Sequence, residues 1–162
     1  MNKQNTSNTK TVPTWLKVAT NSVSPRKRLG VTEKEFREMG RIGGMYYERG
    51  DLGKARTVFE GLVAMDPESS DAHAALGALL TRTFENDLAM AHLNRAIELN
   101  DRQIAAYVNR AEVRLRQKQG EAAVADLKRA IELDPRQKNP AANRARAMVM
   151  GIHDALEAKS IM

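Results

Sequence analysis

The chain of 162 residues has no cysteine, few aromatic residues and no long apolar run. Without cysteine, a disulfide framework and thiol chemistry are excluded. No run reaches the roughly 18 apolar residues of a membrane span, and the N-terminus lacks the apolar segment of a secretory signal peptide, so the sequence predicts neither. Aromatic residues make up 4% of the chain. No segment alternates with the period of a strand, so the pattern predicts an all-helical protein.

Acidic residues are absent from positions 1–28, whereas residues 29–162 hold 20 basic and 20 acidic residues. The whole net charge of +6 therefore belongs to the N-terminus. Residues 1–30 are rich in Asn, Thr, Ser and Lys, so we predict a basic, largely disordered leader. Its exception is the segment around Trp15, which we predict either to dock on the body or to contact a second copy or a partner. Any nucleic-acid affinity of this leader is predicted to be nonspecific.

Two nearly identical six-residue segments, "RAIELN" at 95–100 and "RAIELD" at 129–134, lie 34 residues apart. A fainter copy, "GLVAMD", lies 34 residues before the first, at 61–66. Repetition at a fixed period indicates a tandem array of one supersecondary unit. Small residues, bulky apolar residues and a second set of small residues recur with the same period: Ala55, Ala89 and Ala123; Phe59, Leu93 and Leu127; Gly43, Gly77 and Ala111.

These residues resemble the tetratricopeptide repeat, a helix–turn–helix unit of about 34 residues. The resemblance implies an all-α, right-handed solenoid of three repeats at about 36–69, 70–103 and 104–137, within a domain spanning 31–160. The small residues leave room for the two helices of a repeat to cross closely. We predict helices at 32–49, 52–65, 70–83, 86–99, 104–118 and 120–133, followed by a capping helix at about 140–158 that covers the third repeat.

The third repeat departs from the pattern at two positions. Arg114 stands where a buried aromatic residue is usual, and we expect its stem to lie on the core with its charged head in water. Gly120 lies two places after the usual turn glycine, so we expect a slightly distorted turn there. At the start of the body, Thr32 and Glu35 form a capping-box pattern that predicts a helix N-terminus.

No residue pattern indicates catalysis. The three histidines, His73, His92 and His153, lack metal-ligand spacing, and His73 occupies a packing position of the repeat. The glycine-rich segment "MGRIGGMYYERG" fits neither a phosphate-binding loop nor a dinucleotide turn. We therefore predict that the protein is not an enzyme and uses no metal or cofactor.

The resemblance implies that the first helix of each repeat lines a concave, peptide-binding groove. Its floor is small and apolar, with Tyr47 and Leu115 as walls, which suits an extended peptide that inserts Leu, Met or Pro side chains. Repeat adaptors that grip a C-terminal carboxylate carry Lys, Asn and Arg where this chain has mainly Gly, Ala and Val, so we do not expect that activity. The predicted groove residues are Arg37, Gly40, Gly44, Tyr47, Asp71, Ala74, Ala78, Thr81, Arg82, Val108, Asn109, Glu112 and Leu115.

The plan of leader, three repeats and one capping helix is similar to type III secretion chaperones, bacterial cytoplasmic proteins that hold translocators before export. The most similar stretch is "YYERGDLGKARTVFEGLVAMDPESSDAHAALGALL" at 46–80. This resemblance implies a partner protein with an extended hydrophobic segment, and homodimerisation through the N-terminal region. A general repeat adaptor in another protein complex is the alternative interpretation. Neither interpretation includes specific nucleic-acid binding.

Overall fold

The computed structural model describes the backbone of residues 23–160 and the side chains of residues 23–158. In this part of the chain all regular structure is helical. The seven predicted main helices are confirmed, with ends that differ from the prediction by at most two residues. The helices are α1 Pro25–Arg28, α2 Glu33–Arg49, α3 Leu52–Met65, α4 Ser70–Arg82, α5 Asn86–Leu99, α6 Ile104–Arg116, α7 Gly120–Glu132 and α8 Pro140–Ser160.

Helix α1, a single turn at the end of the basic leader, was not predicted. Its Arg26 pairs with Asp66 at 3.1 Å and with Glu33, and its guanidinium lies 5.0 Å from the centre of the Phe36 ring. These contacts attach residues 25–28 to the first repeat. The Trp15 segment lies outside the described residues, so its predicted docking stays a prediction.

Helix α2 begins with the predicted capping box. The Thr32 hydroxyl accepts a hydrogen bond from the Glu35 amide at 3.2 Å, and the Glu35 carboxylate accepts one from the Thr32 amide at 2.8 Å. Two orphan donors at the helix start are thus satisfied, which favours a helix beginning here.

The turn within each repeat places one residue in the left-handed region. Gly50 has φ +83°, and Phe84 and Lys118 follow at 34-residue intervals with φ +63° and +61°. The prediction of a distorted turn in the third repeat is therefore wrong, because Lys118 adopts the same backbone conformation there as Gly50 adopts in the first repeat. A residue with a Cβ atom is strained in the left-handed region, whereas glycine is not.

Small residues let the two helices of each repeat approach closely, as predicted. A Cβ atom on Gly43 would lie 2.5 Å from Phe59 Cε1, and one on Gly77 would lie 2.7 Å from Leu93 Cγ. No real Cβ fits at such distances, so the ring of Phe59 and the side chain of Leu93 occupy the volume that glycine leaves free. In the third repeat Ala111 takes the glycine position and is fully buried.

Contacts between repeats determine the direction of curvature. The first helices of successive units contact one another, α2 with α4, α4 with α6 and α6 with α8. In the described chain the second helices α3, α5 and α7 do not contact one another. The first helices therefore lie closer together and form the inner, concave side. This arrangement is a tetratricopeptide-type solenoid.

The sequence predicts that the charged head of Arg114 lies in water, and this prediction is wrong. Its Nη1 lies 2.7 Å from the Asp126 carboxylate, which also binds Arg110 through two bonds of 2.9 and 2.7 Å. Asp126 is 4% exposed. A buried carboxylate held by two guanidiniums thus replaces an apolar contact between α6 and α7, because charges are tolerated inside a protein only when they are paired.

Helix α8 covers the end of the third repeat. Asn139 caps it by accepting hydrogen bonds from the amides of Ala141 and Ala142 at 2.9 and 3.3 Å. Ala145, which is fully buried, follows Ala111 by 34 residues and so continues the repeat period. Helix α8 is thus the first helix of a fourth unit. No helix among the described residues combines the length and the apolar character that crossing a bilayer requires.

Candidate functional site

Two recesses open between the first helices on the concave side. The first, which we name the repeat-one recess, has a volume of about 280 Å³. The second, the central recess, has a volume of about 310 Å³. The repeat-one recess is lined by Glu33, Phe36, Arg37, Gly40, Leu62, Ser69, Asp71, Ala72 and Ala75. The central recess is lined by Tyr47, Ala78, Thr81, Arg82, Asn109, Glu112 and Arg144.

The repeat-one recess has an apolar floor and a charged rim. Phe36 and Leu62 are almost fully buried beneath it. A Cβ atom on Gly40 would lie 3.7 Å from Leu62 Cδ1, so glycine keeps the space above Leu62 open. At the rim, the Asp71 carboxylate accepts a hydrogen bond from Gln103 Nε2 at 2.7 Å. A recess of this kind can receive an apolar side chain whose backbone stays at the rim.

The central recess is more polar. The Thr81 hydroxyl is buried and donates to the Gly77 carbonyl at 2.8 Å. Asn109 is 7% exposed, and its side-chain oxygen accepts a hydrogen bond of 2.5 Å from Arg144 Nη2. The same nitrogen lies 3.7 Å from the Glu112 carboxylate. The capping helix thus contributes a charged side chain to the recess.

Arg82 is held at the edge of the central recess by the preceding repeat. Its Nη1 donates to the Tyr47 carbonyl at 2.7 Å, and its guanidinium lies 4.9 Å from the centre of the Tyr47 ring. One repeat later, Arg116 donates to the Thr81 carbonyl at 2.8 Å and lies 4.9 Å from the Phe84 ring. Each arginine binds a carbonyl oxygen in the last turn of α2 or α4, which also accepts a hydrogen bond from the amide of Gly50 or Phe84.

The structure brings most of the predicted groove residues together in the two recesses. Gly44 lies beside them on the open surface of α2, with no atom within 4 Å of the position of a Cβ. Ala74 and Val108 are buried in the core, and Leu115 lines a separate apolar recess of about 520 Å³ between α7 and α8. The predicted residues that line the two recesses are Arg37, Gly40 and Asp71, then Tyr47, Ala78, Thr81, Arg82, Asn109 and Glu112.

Sequence reasoning missed Arg144 and the apolar floor of the repeat-one recess. Arg144 follows Arg110 by 34 residues, and Arg110 is not a predicted groove residue, so the repeat period gives no signal for it. Phe36 and Leu62 are packing residues of the repeat, and only the structure shows that they also form a floor.

The histidines of the second repeat form a pair in which His73 is buried and His92 is half-buried. His73 Nε2 lies 3.0 Å from the Pro67 carbonyl, and His73 Nδ1 lies 2.9 Å from His92 Nδ1. Burial, and next the nearby His73, lower the pKa of His92, while Glu60 opposes this shift. Among the described residues no group of three or more His, Asp or Glu side chains could hold a metal ion.

The chain carries a tetratricopeptide repeat at residues 104–137, where the model of that family matches. No curated protein sequence matches the chain. Known structures share its fold. The type III secretion translocator chaperone SycD of Yersinia enterocolitica has a TM-score of 0.69 at 18% identity, over 81% of this chain and 99% of SycD.

Two further solved structures contain a bound protein segment. PcrH in complex with the chaperone-binding region of PopB has a TM-score of 0.63 at 21% identity, over 74% of this chain and 98% of the other. The first tetratricopeptide domain of Spaghetti (RPAP3), bound to an HSP90 peptide, has a TM-score of 0.62 at 22% identity, over 76% and 97%. SycD has likewise been solved with a peptide of the translocator YopD. At these identities the likeness shows the fold.

Proposed function

We propose that this chain binds a partner protein by holding an extended, apolar segment in its concave groove. In this proposal it acts as a bacterial cytoplasmic chaperone that keeps a hydrophobic translocator of a type III secretion system soluble before export. The observation that carries the proposal is the repeat-one recess, in which Gly40 leaves an apolar floor of Phe36 and Leu62 open to the concave side.

The small residues along the first helices support an extended ligand. Gly40 and Gly44 of α2 and Ala78 of α4 leave room for a peptide backbone to approach. Binding then needs side-chain anchors, and the repeat-one recess offers an apolar place for one of them. The solved complexes of SycD with a YopD peptide and of PcrH with a PopB region support the chaperone class.

A general adaptor is the second candidate, because the similar domain of Spaghetti binds an HSP90 peptide. The small residues Gly40, Gly44 and Ala78 argue against a grip on a terminal carboxylate, since they offer no side-chain donor. They favour the hydrophobic client. Dimerisation through the N-terminal region stays a prediction, and light scattering of the full chain and of Trp15→Ala would test it.

The test of peptide binding is selection of a random-peptide library displayed on phage, with the immobilised full chain as bait. We expect enriched sequences to carry apolar anchors, and we expect the Ala78→Arg variant to lose them because arginine fills the central recess. Equal enrichment on both proteins would place the binding surface elsewhere. The chaperone role is tested by co-expression with a candidate translocator. We expect the translocator to stay in the soluble fraction with the parent chain and not with the Ala78→Arg variant.

A further inference from the structure

We infer that the segment bound in the groove carries an acidic side chain, which the central recess receives between Arg82 and Arg144. This inference rests on the proposed function and names the chemistry of its ligand. An aspartate or glutamate near an apolar anchor would therefore be a specificity element of the client.

The charge balance of the central recess supports an anionic ligand group. Its lining contains two arginines and one glutamate. Among the described residues no carboxylate lies within 4.0 Å of the Arg82 guanidinium. Arg144 makes its short bond to the neutral side chain of Asn109, and Glu112 lies at the longer distance of 3.7 Å. The recess thus holds an excess positive charge.

Arg82 is oriented before any ligand binds. The Tyr47 carbonyl fixes one nitrogen at 2.7 Å, and the Tyr47 ring covers a face of the guanidinium. An arginine has five N–H donors in a planar fork that matches a carboxylate. Because this guanidinium is already ordered, a ligand carboxylate would bind it with less loss of side-chain entropy than it would a mobile arginine.

The surrounding residues direct a carboxylate to this place. Ala78 is short, so an extended backbone can approach α4 here and aim a side chain at Arg82. Thr81 and Asn109 are buried and have partners within the protein. Among the lining residues the two arginines carry the positively charged donors, which bind a carboxylate more strongly than neutral donors do. The neighbouring repeat-one recess, with its apolar floor, would receive the anchor at a fixed spacing from the acid.

The experiment extends the library selection to variants of the full chain. The parent should enrich peptides with an Asp or Glu at a constant distance from an apolar residue. The double variant Arg82→Gln, Arg144→Gln should keep the apolar preference and lose the acidic one. Arg95→Gln is the matched control, because Arg95 lies on the second helix α5 and, among the described residues, pairs only with Glu98. Thermal melts would show that each variant is folded.

One enriched peptide and its Glu→Gln (or Asp→Asn) version would then be titrated by fluorescence anisotropy. A charged hydrogen bond contributes enough to weaken binding about tenfold when the acid is neutralised. We expect this loss with the parent and with Arg95→Gln, and none with the double variant. Arg82→Lys retains the positive charge without the planar guanidinium. For this variant we expect neutralising the peptide's acid to weaken binding by less than with the parent and by more than with the double variant. If the double variant does not fold, the same comparison with Arg82→Lys decides.

The outcomes separate this inference from the function on which it rests. Enriched apolar peptides without an acidic preference, or an equal Glu→Gln effect on parent and double variant, would overturn the carboxylate site and leave the groove intact. If no peptides are enriched on the parent chain, or if the Ala78→Arg variant enriches the same peptides, the proposed binding groove is contradicted.

Discussion

His73 and His92 share one hydrogen bond between their Nδ1 atoms, 2.9 Å apart. The Pro67 carbonyl can only accept, so His73 Nε2 carries a hydrogen and donates at 3.0 Å. In a neutral His73 the Nδ1 atom then accepts, and His92 Nδ1 donates. The pair connects α4, α5 and the turn before α4. The hydrogen bond needs one Nδ1 atom without a hydrogen, because two protonated rings would bring two N–H groups face to face.

The free energy of unfolding should therefore fall in mild acid. The pKa of His92 is lowered from 6.5 in the folded state, so the unfolded chain binds more protons below that pH. Stability is fully present above about pH 6.5 and declines as the pH falls below it. We expect a lower melting temperature at about pH 5.5 than at about pH 7.5, and a weaker dependence in His92→Gln. An equal decline in both proteins would assign the effect to other groups.

The Asp126 carboxylate should be among the most sensitive positions of the third repeat. Asp126→Asn keeps the shape but leaves Arg110 and Arg114, both largely buried, without a charged partner. Removing one partner of a buried ion pair costs about 3–5 kcal/mol, so chemical denaturation should show a loss of about that size. The control is Glu98→Gln, which removes an exposed pair with Arg95 and should have little effect.

The helices could be predicted from the sequence because the repeat period places them, and the capping box and the small residues confirm their phase. The burial of the Arg114 head could not be predicted, because the repeat period gives the position of a residue and does not reveal that Asp126 on the neighbouring helix pairs with it. Helix α1 was missed because its stability comes from Arg26, whose partners Glu33 and Asp66 lie outside the leader.

The positions of the residues that line the two recesses were predicted in outline for the same reason. Residues such as Arg37, Tyr47 and Ala78 follow from their place in the repeat, which fixes the side of the helix on which they lie. Their depth does not follow: Val108 shares that phase yet is fully buried. Arg144 could not be predicted from the period, because it corresponds to Arg110, which pairs with Asp126 on α7.

Two neighbouring glycines of α2 offer a matched test of close helix packing. Gly43→Ala should lower the free energy of unfolding by about 1–3 kcal/mol, because the new Cβ would lie 2.5 Å from the Phe59 ring. Gly44→Ala has no atom within 4 Å and should raise it by up to about 1 kcal/mol through helix propensity. Urea denaturation measures both. Similar effects of the two changes would contradict the packing that we describe.

The left-handed turn position should respond in opposite directions in different repeats. Lys118→Gly should stabilise the protein by about 1 kcal/mol, because Lys118 has φ +61° and glycine adopts this conformation without strain. Gly50→Ala, at φ +83°, should destabilise it by a similar amount. Melting curves of the two variants and the parent test this. A destabilised Lys118→Gly would mean that the lysine side chain makes a stabilising contact that outweighs the strain.

Ala78 should control binding of the client without controlling the fold. It is half-buried and lines the central recess between Tyr47 and Glu112. Burying one leucine or methionine anchor contributes roughly 1.5–3 kcal/mol, so two or three anchors supply about 3–9 kcal/mol, part of which the ordering of the peptide offsets. An isolated peptide should therefore bind in the micromolar range, and Ala78→Arg should largely abolish binding by filling the recess with a long cation. Arginine is a good helix former, so the melting temperature should stay near that of the parent, and Ala78→Ser should bind almost normally. Titration of a library-selected peptide against the three proteins decides. Parent-like affinity in a folded Ala78→Arg would move the binding surface to the outer helices or to the leader.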